Sequence, residues 1–197
     1  MPFRSIMARL AMLTMALSLA GCGLNSVPTA EETAKARWAD VQNEYQRRAD
    51  LVPNLVATVK GYAAQEKSVL IGVTEARAKA TSIQVSPDDL TNPAKVQQFG
   101  AAQGELSQAL GRLLMVTENY PDLKSNQNFL ALQSQLEGTE NRITIARRDY
   151  NEAVRAYNTR IRTFPDAIGA KIFYGAKSMA PFEATTPGAQ TAPTVSF

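Results

Sequence analysis

Residues 38–80 read WADVQNEYQRRADLVPNLVATVKGYAAQEKSVLIGVTEARAKA. Counted in alternating steps of three and four from Trp38, the stretch returns Val41, Tyr45, Arg48, Val52, Leu55, Val59, Tyr62, Glu66, Val69, Val73, Ala76 and Ala80. All but Arg48 and Glu66 suit a buried seam. This is a heptad stripe along one face of a very long helix. Pro53 removes a backbone hydrogen bond to Ala49 and costs about 3 kcal/mol in a helix interior. The count nevertheless passes through Val52 and Leu55 without a slip, so the pattern predicts a helix that kinks at Pro53 and continues. Capped at Thr29 or Thr33, with Glu31 and Glu32 in its first turn, it would reach Ser82 and measure about 80 Å.

Downstream, Ser86-Pro87-Asp88-Asp89 is turn chemistry. Asn92-Pro93 then opens a second helix, Asn92 as cap and Pro93 in the first position. Its stripe is Val96, Phe99, Leu106, Leu110 and Leu113. Gly100 and Gly104 lie one turn apart and suit close helix contact; no Gly-Lys-Ser/Thr follows, so they form no phosphate loop. Asn119-Tyr120-Pro121-Asp122 closes this helix. A third begins near Ser125, with Phe129, Leu132, Leu136, Thr139, Ile143, Ala146, Tyr150, Ala153, Tyr157 and Ile161 in register, until Phe164-Pro165 stops it. Ile168, Ile172, Phe173 and Tyr174 suggest a short helix folded back on the bundle. From residue 184 the Thr, Pro, Gly, Ala and Gln composition predicts disorder.

The expected fold is all-α. It is an elongated antiparallel bundle of three long helices, the first kinked at Pro53 and so countable as four, plus a short C-terminal helix. The second helix is short, so part of the rod would be a two-helix coiled coil covered by the segment after Pro165. The expected organisation is a lipoprotein signal at 1–21, a lipidated spacer at 22–32, the bundle at 33–182 and a tail at 183–197.

The N-terminal signal rests on Arg4 and Arg9, the apolar run Leu10–Ala20, and Leu19-Ala20-Gly21-Cys22. The run is too short to span a bilayer, which takes about 20 apolar residues. It has the proportions of a secretory signal core. Leu-Ala-Gly-Cys resembles the bacterial lipobox, which implies cleavage before Cys22 and lipid on its thiol. The alternative is an uncut membrane anchor. Gly23, where many inner-membrane lipoproteins have Asp, implies the outer membrane, facing the periplasm.

Composition excludes several classes. The chain has 197 residues, no histidine and one cysteine. No intrachain disulfide can form, and the commonest general base and transition-metal ligand is missing. The formal charge of +3 falls to +1 if residues 1–21 are removed, since Arg4 and Arg9 go with them and 19 basic residues then face 18 acidic ones. There is no basic block for nucleic acid, and no motif for a cofactor or metal.

Tyr45-Gln46-Arg47-Arg48-Ala49-Asp50-Leu51-Val52-Pro53-Asn54-Leu55-Val56, then Val59-Lys60-Gly61-Tyr62 and Glu75-Ala76-Arg77, resemble the signature of the LemA family. So do Tyr120-Pro121-Asp122-Leu123-Lys124, Phe129 with Leu132, Glu140-Asn141-Arg142-Ile143, Ala146-Arg147 with Tyr150-Asn151, Tyr157-Asn158 and Phe164-Pro165. The resemblance covers roughly residues 35–182. It implies a helical bundle tethered to a bacterial membrane and no settled reaction. Members often keep an uncleaved N-terminal helix, from which the Cys22 lipobox departs. They are often encoded beside TPM-domain membrane proteins, which implies a partner of that kind.

The candidate residues are Arg47, Arg48, Asp50 and Asn54 near the proline, Glu66 on the seam, and Glu140, Asn141 and Arg142 in the third helix. Their structural reading is that Arg48 and Glu66 find partners across the bundle, Arg48 near Asp149 or Glu152 and Glu66 near Arg142, and fix its register. Trp38, Tyr45, Tyr62, Tyr150 and Tyr157 read as core, and Lys60, Lys67 and Lys79 as a solvated face. Two functions follow. One is a lipid-tethered scaffold or adaptor that binds an envelope protein and is no enzyme, with its contact surface on the polar side of the helices away from the seams, together with the end farthest from Cys22, which would hold the Thr81–Thr91 connector. The other is an envelope hydrolase built from carboxylates and arginines.

Overall fold

The computed structural model describes residues 25–183. They form six α-helices and no strand: α1 Ser26–Tyr62, α2 Lys67–Ser82, α3 Pro93–Thr117, α4 Pro121–Lys124, α5 Gln127–Arg160 and α6 Asp166–Ile172, with a 3-10 turn at Pro87–Thr91 before α3. The expectations for residues 1–24 and 184–197, Cys22 and the tail among them, lie outside this range.

Helix α1 starts at Ser26, about one turn before Thr29 and two before Thr33, the expected caps. The Thr29 and Thr33 hydroxyls instead donate to the carbonyls four residues back, at 2.7 and 2.8 Å, as they do inside helices. The helix runs through Pro53 unbroken, as its phase predicts. The proline leaves the Ala49 carbonyl without its usual donor, and the fold supplies another: Arg77 Nε, from α2, donates to it at 2.7 Å.

Arg77 is within reach because the first helix does not continue to Ser82. It ends at Tyr62, and α2 folds back along it, a correction to the sequence reading. The Ala63 amide caps onto Val59 at 2.8 Å, and Glu66 N–H donates to Ala63 at 3.1 Å. Tyr120, from the opposite connector, pins the turn: its hydroxyl donates to Glu66 at 2.8 Å and accepts from Gln65 at 2.9 Å.

Helix α5 runs antiparallel to the whole of α1. Asn126 meets the Tyr62 hydroxyl at 2.9 Å, and Arg160 meets the Ser26 carbonyl at 3.2 Å. Helices α2 and α3 form the other antiparallel pair, joined outside by Lys79 and Glu105 at 2.7 Å. At 16 residues, about 24 Å, α2 covers only the far part of α1, which at 37 residues is about 55 Å long. The near part is closed by the 3-10 turn and an extended strap, residues 176–183, so the segment after Pro165 does cover the exposed seam.

The far end of the rod is therefore built from Ala63–Glu66 and the Glu118–Asn126 connector. Thr81–Thr91 is not there. The Val85 carbonyl accepts from Trp38 Nε1 and Gln42 Nε2, both at 3.1 Å, in the half of the rod nearer Ser26.

The apolar interior falls into two clusters. The near one holds Trp38, Val41, Tyr45, Phe99, Ile143, Tyr150, Tyr157 and Phe182. The far one holds Val52, Leu55, Val59, Val73, Leu106, Leu113, Phe129 and Leu136. Tyr62 is the seam aromatic that stays outside, 43% exposed at the tip.

Candidate functional site

Between the two clusters lies a polar layer. On α1 it is Arg48, flanked by Tyr45 and Val52; on α3, Gln103 and Ser107; on α5, Thr139 and Glu140. Arg48 is 1% exposed. Its Nη1 donates to Glu140 Oε1 at 2.9 Å and Ser107 Oγ at 2.6 Å. Its Nη2 donates to the Gln103 carbonyl at 2.9 Å and side-chain oxygen at 2.7 Å. Gln103 Nε2 donates onward to the Ala80 carbonyl at 3.2 Å, so the layer links all four long helices. The guanidinium also lies 4.9 Å from the Tyr45 ring centroid. Arg48 Nε is the buried side-chain donor left without a partner among the described residues. Burial pushes the Tyr45 phenol up, against the pull of Arg147 and Arg48.

Arg48 does face α5, but at Glu140 rather than Asp149 or Glu152. The reason is the early reversal after Tyr62. With Tyr62 opposite Asn126, position 48 must fall opposite 140. Glu66 meets Tyr120 in the turn rather than Arg142, and the Tyr120 hydroxyl is shifted up by that bond. Arg142 pairs with Glu44 at 3.0 Å and also donates to Thr139. Arg47, Asp50, Asn54 and Asn141 are exposed. Asp50 accepts from Gln46 at 2.7 Å. It lies two residues from Arg48, about 200° around the helix. Asp50 and Glu140 thus do not converge as an acid and base would. Among the described residues no group of three or more carboxylate, histidine or cysteine side chains could hold a metal ion. A groove of about 290 Å³ between α1 and α5 is lined by Asp40, Glu44, Arg142 and Asp149, among others, yet Arg142 and Glu44 already satisfy each other there.

A second polar device holds the strap. Asn151 and Asn158 stand seven residues apart on α5. Asn151 donates to the Phe182 carbonyl at 2.9 Å and accepts its N–H at 2.6 Å. Asn158 does the same for Met179, at 2.8 and 2.9 Å. The Tyr150 hydroxyl donates to Ala180 O at 2.8 Å, and burial raises that phenol far above its ordinary value. Phe182 is thereby set 6.0 Å from Trp38 and 6.2 Å from Tyr45 between ring centroids, with Arg147 over its other face at 4.4 Å. Sequence reasoning read Tyr150 and Tyr157 as core and gave Asn151 and Asn158 no role beyond the signature. The available signal was an asparagine beside a seam tyrosine, repeated one heptad on.

The large apolar side chains that remain exposed are not spread along the rod. Tyr62, Ile71, Met115 and Leu130 lie at or near the far end, and Phe164, Ile168, Ile172, Phe173 and Tyr174 at the near end, with Ile145 between. The second group corrects an expectation. The segment after Pro165 is a short helix, but Ala170 is what it buries, while Ile168 and Ile172 face out.

Comparison with known proteins agrees with the resemblance in the sequence. The model of the LemA family matches residues 37–197. Magnetosome protein MamQ 1 of Paramagnetospirillum magneticum is 28% identical over 157 residues, covering 72% of this chain and 58% of that protein. MamQ of Magnetospirillum gryphiswaldense is 27% identical with the same coverage. Protein LemA of Metamycoplasma hominis is 29% identical over 121 residues, 61% of this chain and 51% of that one. The match spans between about half and three fifths of these curated relatives, whose names denote no reaction.

Proposed function

This chain belongs to the LemA family, and from that premise we propose that it is a membrane-tethered scaffold of the bacterial envelope that acts by holding a protein partner. The observation that carries the reading is the placing of exposed apolar side chains at the two ends of a rod whose buried charge among the described residues, Arg48, is already paired with Glu140. Large apolar side chains exposed together at one end of a molecule are a common mark of an interaction site, and Tyr62, Ile71, Met115 and Leu130 come from the four long helices at or near the far end. Catalysis would need an unengaged acid and base facing a cleft, and the described residues give neither Arg48 nor Glu140 that freedom.

In this reading Cys22 carries lipid and becomes the mature N-terminus, and the rod stands in the periplasm from the outer membrane. No helix among the described residues is long and apolar enough to cross a membrane; the tether in this reading lies before Asn25, at Cys22. The far end, with Tyr62, Ile71, Met115 and Leu130, meets an envelope protein about 55 Å from Ser26. A TPM-domain membrane protein is the first partner to try.

The test is crosslinking in the native envelope with the full chain. Changing Tyr62, Ile71, Met115 and Leu130 to serine should abolish capture of the partner while circular dichroism and melting stay unchanged. Capture that survives, or turnover of a substrate by the purified chain, would overturn the proposal.

A further inference from the structure

A short amphipathic helix ordinarily turns its bulky apolar residues inward. Helix α6 does the reverse. Ala170 is 2% exposed, in the near core with Val27 and Ala34, while Ile168 is 53% exposed and Ile172 69%. Phe164, just before the helix, is 83% exposed, and Phe173, just after it, 67%. Four large apolar side chains within ten residues face solvent. Small inward residues let the helix lie close on the bundle and present its larger side chains outward.

The place of this segment indicates what meets it. Arg160, six residues before α6, donates to the carbonyl of Ser26, the first residue of α1, and also pairs with Asp166 in α6 at 3.6 Å. The segment therefore sits at the end where the chain enters the bundle. Cys22 is four residues before Ser26, so covalent geometry keeps it within about 14 Å of that end. The apolar run Leu10–Ala20 lies immediately beyond. Whether the tether is lipid on Cys22 or an uncut apolar segment, the bilayer surface comes to the same end. The local charge is net basic: between residues 160 and 177 there are four basic residues, Arg160, Arg162, Lys171 and Lys177, against one acid, Asp166; Arg160 and Arg162 are engaged by Asp166 and Ser178, and Glu31, Lys35 and Asp88 line the groove beside Lys177. Apolar side chains flanked by basic ones are how a monotopic segment lies in the headgroup region.

We propose that residues 164–177 dock on the bilayer that holds the tether, with Phe164, Ile168, Ile172 and Phe173 in the headgroup–acyl boundary and Lys171 and Lys177 on anionic lipid phosphates. This rests on the membrane-tethered reading above and adds a second point of attachment. A lipid on a leash leaves a rod free to swing; a second contact makes it stand at a set angle.

The test uses the full chain in vesicles of phosphatidylethanolamine and phosphatidylglycerol, with a photo-crosslinking amino acid at Ile172 or, as control, at Ile145. Lipid adducts at 172 and not at 145 are expected. They should fall several-fold when the vesicles lack phosphatidylglycerol, or when Ile168→Ser and Phe173→Ser are combined with Lys171→Gln. A membrane-bound chain whose position 172 gives adducts only to a second copy, to residues 184–197 or to another protein overturns the docking and leaves the tether standing. A chain that does not sediment with vesicles overturns the tether itself. Unchanged circular dichroism of the triple variant separates lost docking from lost folding.

Discussion

Pro53 and Arg77 are 24 positions apart, yet the fold makes each an answer to the other. The proline has no N–H to offer Ala49, and the partly buried Arg77 donates there at 2.7 Å. Replacing Arg77 by methionine keeps most of the stem and removes the donor. A partly buried carbonyl then stands unsatisfied, and a bond to a charged donor is lost, at a cost of about 1–2 kcal/mol. Pro53→Ala returns an N–H in line with Ala49 and removes the reason for the guanidinium. In that background Arg77→Met should cost about 0.5 kcal/mol, the residue of its packing. The coupling is then roughly 1 kcal/mol, within the range of residues sharing a partner. Urea and thermal unfolding of the four variants of the full chain in mild detergent, followed by circular dichroism, would measure it. For this size 1 kcal/mol is about 2–4 °C in melting temperature. An Arg77→Met cost that is equal in both backgrounds would refute the argument: Arg77 would then be packing alone.

Arg48→Ala should cost about 3–4 kcal/mol, since it leaves a cavity and unpaired acceptors on Gln103. Glu140→Gln should cost only about 1 kcal/mol, because that side chain is 43% exposed and its pairing is screened; equal losses in denaturant titrations would count against the layer as described. Asp89 is held down to about 2, by Lys95 first and then by Ser86. Its folded value is below its ordinary one, so its contribution is full above about pH 4 and fades as pH falls toward 2. Melting temperature across that window should fall more in wild type than in Asp89→Asn. Asn151→Ala together with Asn158→Ala should release the strap: amide exchange at Met179 and Phe182 should speed by at least tenfold and Trp38 fluorescence should change, whereas unchanged protection would show that Phe182 packing suffices. Intact mass of membrane-extracted chain should show residues 1–21 gone and acyl mass added; an unmodified full-length chain would remove the lipid from the account.

Much of the bundle was legible because burial follows a helical period: Phe129, Leu136, Ile143, Tyr150 and Tyr157 were placed on one face and all are buried. Asn92-Pro93 opened α3 as written, with the Asn92 side chain accepting from Ala94. The reversal at Ala63 was not legible by phase, since a four-residue turn let the count resume on Val73 and Ala80 as though nothing had intervened. Gly61 and the polar Gln65-Glu66-Lys67 were weak signals, and the pinning group, Tyr120, is more than fifty residues away. The missed turn displaced the partner of Arg48 and moved Thr81–Thr91 to the wrong end. The outward face of α6 was missed for a different reason. Apolar residues in a short segment were assumed to point inward, and only the contacts of Ala170 show otherwise.

The polar layer has a consequence for length. Heptad seams are nearly self-similar: slide one helix by seven residues, about 10.5 Å, and leucine again meets leucine. A bundle of such seams alone would be a scale without a zero. Arg48 supplies the zero, because its acceptors on Gln103, Ser107 and Glu140 exist at one height only, and a slip in either direction drives a guanidinium among leucines and phenylalanines. The length of the rod from Ser26 to its tip at Tyr62 is then a single calibrated value in every copy. Whatever meets the two ends of the rod would be held the same distance apart each time.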